Sequence, residues 1–173
     1  MQVVLFRHGI AEDREEFARA GRPDSDRPLT GKGAERTRRA AAGLLSVLDG
    51  VDCVAASPYV RARQTADIVA DRCAEAGRAP ERDSLDAMQP GGDYGAVLRW
   101  LGARDIRDTV VLVGHEPDLS GLMAWLIAGR RDGFARFKKS GACLIGFAAP
   151  PARGDGELLA FLPPAVLRQL AGN

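Results

Sequence analysis

Val3-Val4-Leu5-Phe6-Arg7-His8-Gly9-Ile10 is the stretch whose reading decides the fold. Four apolar residues, two of them β-branched, describe a short buried strand. The strand runs straight into Arg7-His8-Gly9, so a guanidinium and an imidazole stand at its C-terminal end. In open α/β sheets that end is where ligands bind. The chain has only two histidines, and the other stands in the same setting. The apolar run Thr109 to Val113 predicts a strand that ends in Gly114-His115-Glu116-Pro117, with Pro117 suited to the first position of a helix.

Working outward from these two junctions, Val51 to Ala56 predicts another strand. Ser57-Pro58 after it supplies an N-cap residue and a first-position proline. Ala62, Ala66, Val69, Cys73 and Ala76 make the apolar stripe of the helix that follows. Arg61 falls in its first turn, beside free backbone N–H groups and the positive end of the helix dipole, where an anion is well held. Residues 11 to 29 mix six acids with four arginines and have weak periodicity. They predict a largely solvated loop with one helical turn, arching over the end of the first strand. Arg27, just before the next helix, is placed to bend back toward that end. Thr30 is an N-cap for a helix over Gly31 to Leu48, with Thr37, Ala41, Leu44, Leu45 and Leu48 on its apolar face. Gly31-Lys32-Gly33 lacks the full phosphate-loop spacing and follows no strand.

Farther along, residues 77 to 92 form a connection with a short strand near Glu81 to Leu85. Asp93 caps a helix through Tyr94, Val97, Leu98 and Leu101. Leu119, Leu122, Met123, Leu126 and Ile127 define a helix buried on one side. Ala142 to Ala149 and Glu157 to Leu162 predict a hairpin closed by Gly154-Asp155-Gly156, and Ala165 to Leu170 a short last helix. Strands alternating with helices imply an α/β fold: a single three-layer domain over residues 1–173, with a mostly parallel central sheet flanked by helices.

Composition is that of a soluble globular chain, with 46% hydrophobic and 27% charged residues. No run approaches the ~18 apolar residues of a membrane span, and the apolar start is too short for a signal peptide. The expected location is cytoplasmic, with no membrane partner. Three cysteines, Cys53, Cys73 and Cys143, are widely spaced and without a C-x-x-C pair, which favours buried reduced thiols. A net charge of +1 speaks against a nucleic-acid partner. Arg130 to Lys139 carries five basic residues and one acid, a solvated loop by default or a docking patch for an acidic partner.

The junctions bring Arg7, His8, Arg61 and His115 to one edge of a parallel sheet. Arginine holds phosphoryl oxygens in a fork that lysine cannot supply. Histidine, with an ordinary pKa near ~6.5, serves as neutral nucleophile or as cation. A lone histidine is usually structural; two at matching strand ends are not readily explained that way. Zinc would want a third ligand at typical spacing, and the sequence has no H-E-x-x-H or Cys/His cluster. Neither a metal nor an organic cofactor is expected.

Three motifs carry a resemblance that spans nearly the whole chain: R-H-G at Arg7 to Gly9, S-P-x-x-R-A-x-Q-T at Ser57 to Thr65, and V-G-H-x-P at Val113 to Pro117. Together they resemble the histidine phosphatase superfamily, whose fold is phosphoglycerate mutase-like. Arg27-Pro28-Leu29-Thr30, Pro90 to Asp93 and the short length resemble its SixA-type phosphohistidine phosphatase branch. The resemblance implies His8 as nucleophile, with Arg7, Arg61 and His115 as the phosphate pocket and Arg27 near it. It implies a metal-independent phosphatase working through phospho-His8 on a phosphohistidine-carrying phosphotransfer protein. The His8 tautomer should be fixed by a backbone carbonyl. Ester-cleaving members place a carboxylic acid for an alkoxide leaving group; between residues 85 and 93 this chain offers Asp86 and Asp93, the latter a cap. The lack of a clear acid favours phosphoramidate over ester chemistry. A small-molecule phosphomonoesterase with Asp86 as acid, and a non-catalytic phosphoprotein-binding module, are the alternatives.

Overall fold

The computed structural model describes residues 1–172. Six strands form one sheet: β1 (Gln2–Arg7), β2 (Cys53–Ala56), β3 (Glu81–Ser84), β4 (Thr109–Gly114), β5 (Ala142–Gly146) and β6 (Glu157–Leu162). The spatial order is β3-β2-β4-β1-β5-β6. The first four strands run parallel, and β5 and β6 are antiparallel to their neighbours. This is the mostly parallel α/β sheet expected from the alternation of elements.

Because successive side chains of a strand point to opposite faces, β1 feeds two cores. Val4 and Phe6 join Val54, Ala56, Val111, Val113 and Leu144 on one face. That face is covered by α2 (Gly31–Leu45), α3 (Val60–Glu75) and α6 (Pro164–Leu170). Val3 and Leu5 join Cys53, Ala55, Val110, Leu112 and Ile145 on the other, under α4 (Tyr94–Gly102) and α5 (Asp118–Ala128). Burial on both faces is why these strands read as continuous apolar runs. The edge strand β3 is exposed throughout. Its Arg82 reaches Asp67 and Asp71 on α3, and Arg104 reaches Glu81. Charged edges of this kind discourage pairing with a second sheet.

Several boundaries differ from the sequence expectation. The segment after β1 holds a full helix, α1 (Arg14–Arg19), capped by Asp13 Oδ1, which accepts from the backbone N–H of Glu15 and of Glu16. A 3₁₀ turn follows at Asp24–Asp26. Helix α2 stops at Leu45, and residues 46–48 turn on Ala42, Leu44 and Leu45 carbonyls. Strand β2 begins at Cys53. Ser57-Pro58 does not open α3: Tyr59 is the N-cap residue, and the Ser57 hydroxyl is spent elsewhere. Likewise Pro117 precedes the first residue of α5 rather than occupying it. The β5–β6 hairpin closes through residues 147–156, with Gly154 and Gly156 donating to carbonyls at the end of α5. Asp93 does cap α4, through a bond from Gly95 N at 2.8 Å.

All three cysteines are free and buried. Burial pushes the thiol of Cys53 up to about 11 and that of Cys143 up to about 12, and raises Cys73. No described helix is long and apolar enough to cross a membrane.

Where α2 meets α6, the backbones approach so closely that a Cβ at Gly43 would lie 1.7 Å from the Leu167 carbonyl oxygen. Gly43→Ala must push α6 off the sheet. The expected cost is about 1–3 kcal/mol of overpacking, read as a lower urea midpoint.

Candidate active site

The C-terminal ends of β1 and β4 are neighbours, with Arg7 opposite Gly114. His8 and His115 therefore leave the sheet side by side, their ring centroids 5.1 Å apart. They are 5% and 2% exposed. A cleft of about 670 Å³ opens over them. It is lined by Arg7, His8, Arg27, Arg61 and His115, so all five expected residues meet there. Ala11, Glu12, Asp13 and Arg14 from the segment after β1 form one wall, and Pro90, Gly91, Glu116, Pro117, Asp118 and Lys139 complete it.

His8 is fixed at both ends. Its Nδ1 lies 2.8 Å from the Gly9 carbonyl oxygen; since a carbonyl only accepts, Nδ1 carries the proton and Nε2 keeps the lone pair. Gly9 N donates to Thr65 Oγ1, which itself donates to the Arg61 carbonyl. Position 9 requires glycine, because a Cβ there would lie 2.3 Å from Thr37 Oγ1. Ser140, in the left-handed region at φ 62°, donates its N–H to the Arg7 carbonyl and shares a hydroxyl contact with Thr37 at 2.9 Å. A strained non-glycine held this way usually marks a site under positional demand.

The imidazole of His115 is set by Ser57, whose Oγ lies 2.9 Å from Nε2. Its Nδ1 is buried without a hydrogen-bond partner among the described residues. Tyr59 packs edge-on to the ring at 5.2 Å and lies 4.9 Å beneath the Arg61 guanidinium.

Arg61 is 4% exposed and is gripped by a residue the sequence did not single out. Its Nη1 donates to the Asp24 carbonyl at 2.7 Å and its Nη2 to Asp24 Oδ2 at 2.9 Å. Arg27 Nε donates to Asp24 Oδ1 at 2.9 Å, and Arg27 Nη1 to the Glu12 carbonyl. One carboxylate thus spaces two cleft arginines. Desolvation opposes its ionisation, yet Arg61 and Arg27 hold Asp24 below the usual carboxylate range. Arg7 Nη1 donates to the Phe137 carbonyl at 2.6 Å. The N–H of the same residue donates to Glu116 Oε1, which with Oε2 also accepts from Ser120. Lys139 likewise lines the cleft, its pKa lowered by burial and then by Arg7. Asp86 does not line it; exposed, it accepts from Gln89.

Concentrating cations in a desolvated cleft has one electrostatic result: neither histidine accepts a further positive charge. Burial first, then His115, holds His8 down to about 2. Burial first, then Arg61, holds His115 down to about 4. In the free cleft both rings are thus held in the neutral form. Among the described residues no cluster of three or more His, Cys, Asp or Glu is placed to hold a metal ion.

The sheet order and the site at its parallel edge define an α/β protein of the phosphoglycerate mutase-like class. The model of the histidine phosphatase superfamily (branch 1) matches residues 3–92, and the chain belongs to that superfamily. The phosphohistidine phosphatase SixA of Escherichia coli K12 is 34% identical over 131 residues, 75% of this chain and 76% of that protein. An uncharacterized protein of Picosynechococcus is 38% identical over 95% of this chain and 97% of its own. The structure of the protein histidine phosphatase SixA complexed with tungstate superposes with a TM-score of 0.78 at 28% identity, covering 95% of this chain and 98% of that one.

The depressed histidines make stability pH-dependent. Below the ordinary value of ~6.5 the unfolded chain binds protons that the folded chain refuses, so stability falls with falling pH. The His115 share falls from about 6.5 to about 4 and then levels off, and the His8 share continues to about 2. The steepest loss is roughly 1.4 kcal/mol per pH unit for each histidine. Urea unfolding at pH 7 and pH 5 checks this, with His115→Asn expected to remove about half of the histidine-dependent loss.

Proposed function

We propose that the protein hydrolyses phosphohistidine on a phosphoprotein, with His8 Nε2 as the atom that takes the phosphoryl group. The observation that carries this is the state of His8: neutral, oriented through Nδ1–H to the Gly9 carbonyl, its Nε2 lone pair free at the floor of a cationic cleft. The similarity to phosphohistidine phosphatase SixA supports the choice of substrate, and the tungstate complex of a SixA of known structure fits a cleft built for a tetrahedral anion.

The reaction proceeds in two displacements. The His8 Nε2 lone pair attacks phosphorus in line while the P–N bond of the substrate breaks. A substrate imidazole protonated on its second nitrogen departs neutral, so no protein acid is needed. Arg7, Arg61, Arg27 and Lys139 balance charge on the phosphoryl oxygens, the electrostatic term on which phosphoryl transfer chiefly relies. His115 Nδ1, lacking a protein partner, serves as a further donor, with the Ser57 hydroxyl giving its proton to Nε2 and setting the tautomer. The bound dianion raises the His115 pKa and strengthens this contact. Water then attacks the P–Nε2 bond, phosphate and a proton leave, and His8 returns to its neutral tautomer.

Two features weigh against ester cleavage. Asp86, the acid that reading would use, lies outside the cleft, and both oxygens of Glu116 are engaged by Ser120 and Phe137. A pure binding module would have no need of an oriented, unprotonated Nε2.

Incubation with a ³²P-labelled phosphohistidine peptide tests the reading. The wild type should acquire acid-labile, alkali-stable label and release phosphate. His8→Ala should acquire none and lose on the order of 10⁴-fold or more in turnover, whereas Asp86→Asn should stay within about twofold. Absence of label from every donor overturns the enzyme reading; ester turnover lost with Asp86→Asn overturns the choice of substrate.

A further inference from the structure

We propose that a groove beside the catalytic cleft, between Tyr94 and the Arg130–Lys139 segment, docks acidic side chains that flank the phosphorylated residue of a protein substrate. The proposal rests on the phosphoprotein reading above and specifies what the partner must carry.

The groove encloses about 580 Å³ and shares Arg7, Glu116, Pro117 and Asp118 with the cleft. It is a continuation of the site rather than a separate feature. Its far wall is supplied by Tyr94, Arg131 and Arg136. Both arginines are exposed, and neither has an ion-pair partner among the described residues. The Arg131 guanidinium lies 5.2 Å from the centroid of the Tyr94 ring, a platform that holds it in place while leaving its N–H fork free. Arg130, Lys138 and Lys139 extend the same charge along the segment, against Asp132 as its single acid. Phe134, 50% exposed, adds an apolar side chain to the same segment. Of the acids in the groove, Glu116 is already committed to Ser120 and Phe137, which leaves Asp118 as the weaker opposing charge.

The segment is tied directly to the chemistry. Phe137 is buried edge-on against Phe161, at 5.0 Å between centroids. It is held by Arg7 through its carbonyl and by Glu116 through its N–H. Gly133 packs so closely on α5 that a Cβ would lie 2.7 Å from the Ser120 Cβ. The cations therefore stand at a fixed offset from the arginine that faces the phosphoryl group. A substrate that reaches His8 must present its flanks to them.

The opposite wall decides what kind of anion fits. Exposed Glu12 and Asp13 line it beside Arg14, so acids stand across the mouth from the basic groove. A discrete acidic patch beside the phosphorylated histidine satisfies this arrangement. A nucleic-acid strand crossing the mouth would meet repulsion on one side.

The test uses two histidine-phosphorylated peptides of equal length, one with Asp and Glu flanks and one with Lys flanks, plus phosphoramidate as a substrate without flanks. The acidic peptide should show a kcat/KM about tenfold above the lysine peptide at low salt, the gap closing as salt screens the surface. Arg131→Glu/Arg136→Glu should abolish or reverse the preference, with phosphoramidate turnover within twofold of wild type. Equal use of the two peptides, or an equal loss on phosphoramidate, overturns the proposal. A second arm measures binding of the unphosphorylated peptides to His8→Ala by fluorescence anisotropy. Acid preference there with no turnover of either phosphopeptide retires the phosphohistidine reading and leaves the docking surface standing. Turnover of both without any binding preference does the reverse. Single-stranded DNA that displaces the acidic peptide at lower concentration would reassign the surface to nucleic acid.

Discussion

The central position of β1 is the constraint on which the molecule depends. Flanked by β4 and β5, it has its backbone paired on both sides, and its side chains divide between two cores. Such a strand cannot slip by one residue without exchanging the two cores. The positions of Arg7 and His8 at its end are therefore fixed by hydrophobic packing far larger than any contact they make themselves. Parallel pairing with β4 then brings His115 beside His8.

Around this pair the protein does something costly: it buries Arg61 and half-buries Arg7, and partly compensates them with Asp24 and Glu116. Partial compensation is the useful state. Full neutralisation would leave nothing for a phosphoryl group to gain on entering. No compensation would make so many buried cations unaffordable. Asp24 shows how the balance is struck, since it bridges Arg61 and Arg27 while leaving Arg61 Nε without a partner. Burial first, and the neighbouring cations after it, keep both imidazoles deprotonated, and an imidazole is a nucleophile only in that form.

Much of this was legible in the sequence because strand ends, apolar runs and the two histidines are local signals. Arg61 could be placed from its distance to β2, and Arg27 from its distance to α2. What escaped were contacts between residues far apart in the chain. Asp24 meets Arg61 across 37 residues, and nothing in a loop of alternating charges marks one acid above its neighbours. Ser57 looked like a helix cap, as a Ser-Pro pair invites, but its partner is His115, 58 residues away. The grip of Arg7 on the Phe137 backbone had no signal at all, since a carbonyl acceptor has no residue type. Asp86 lies in the segment where an acid was expected and still faces solvent, because the 3₁₀ turn at Asp86–Met88 buries Met88 instead.

The three cysteines bear on the conditions under which the chain can work. Peroxide and disulfide reagents attack thiolates, and here every thiol is buried and held in its protonated form by desolvation. None lines the cleft. Phosphoryl transfer to a ring nitrogen, as proposed for His8, needs no thiolate. Reagents directed at thiols therefore find no target in the cleft itself.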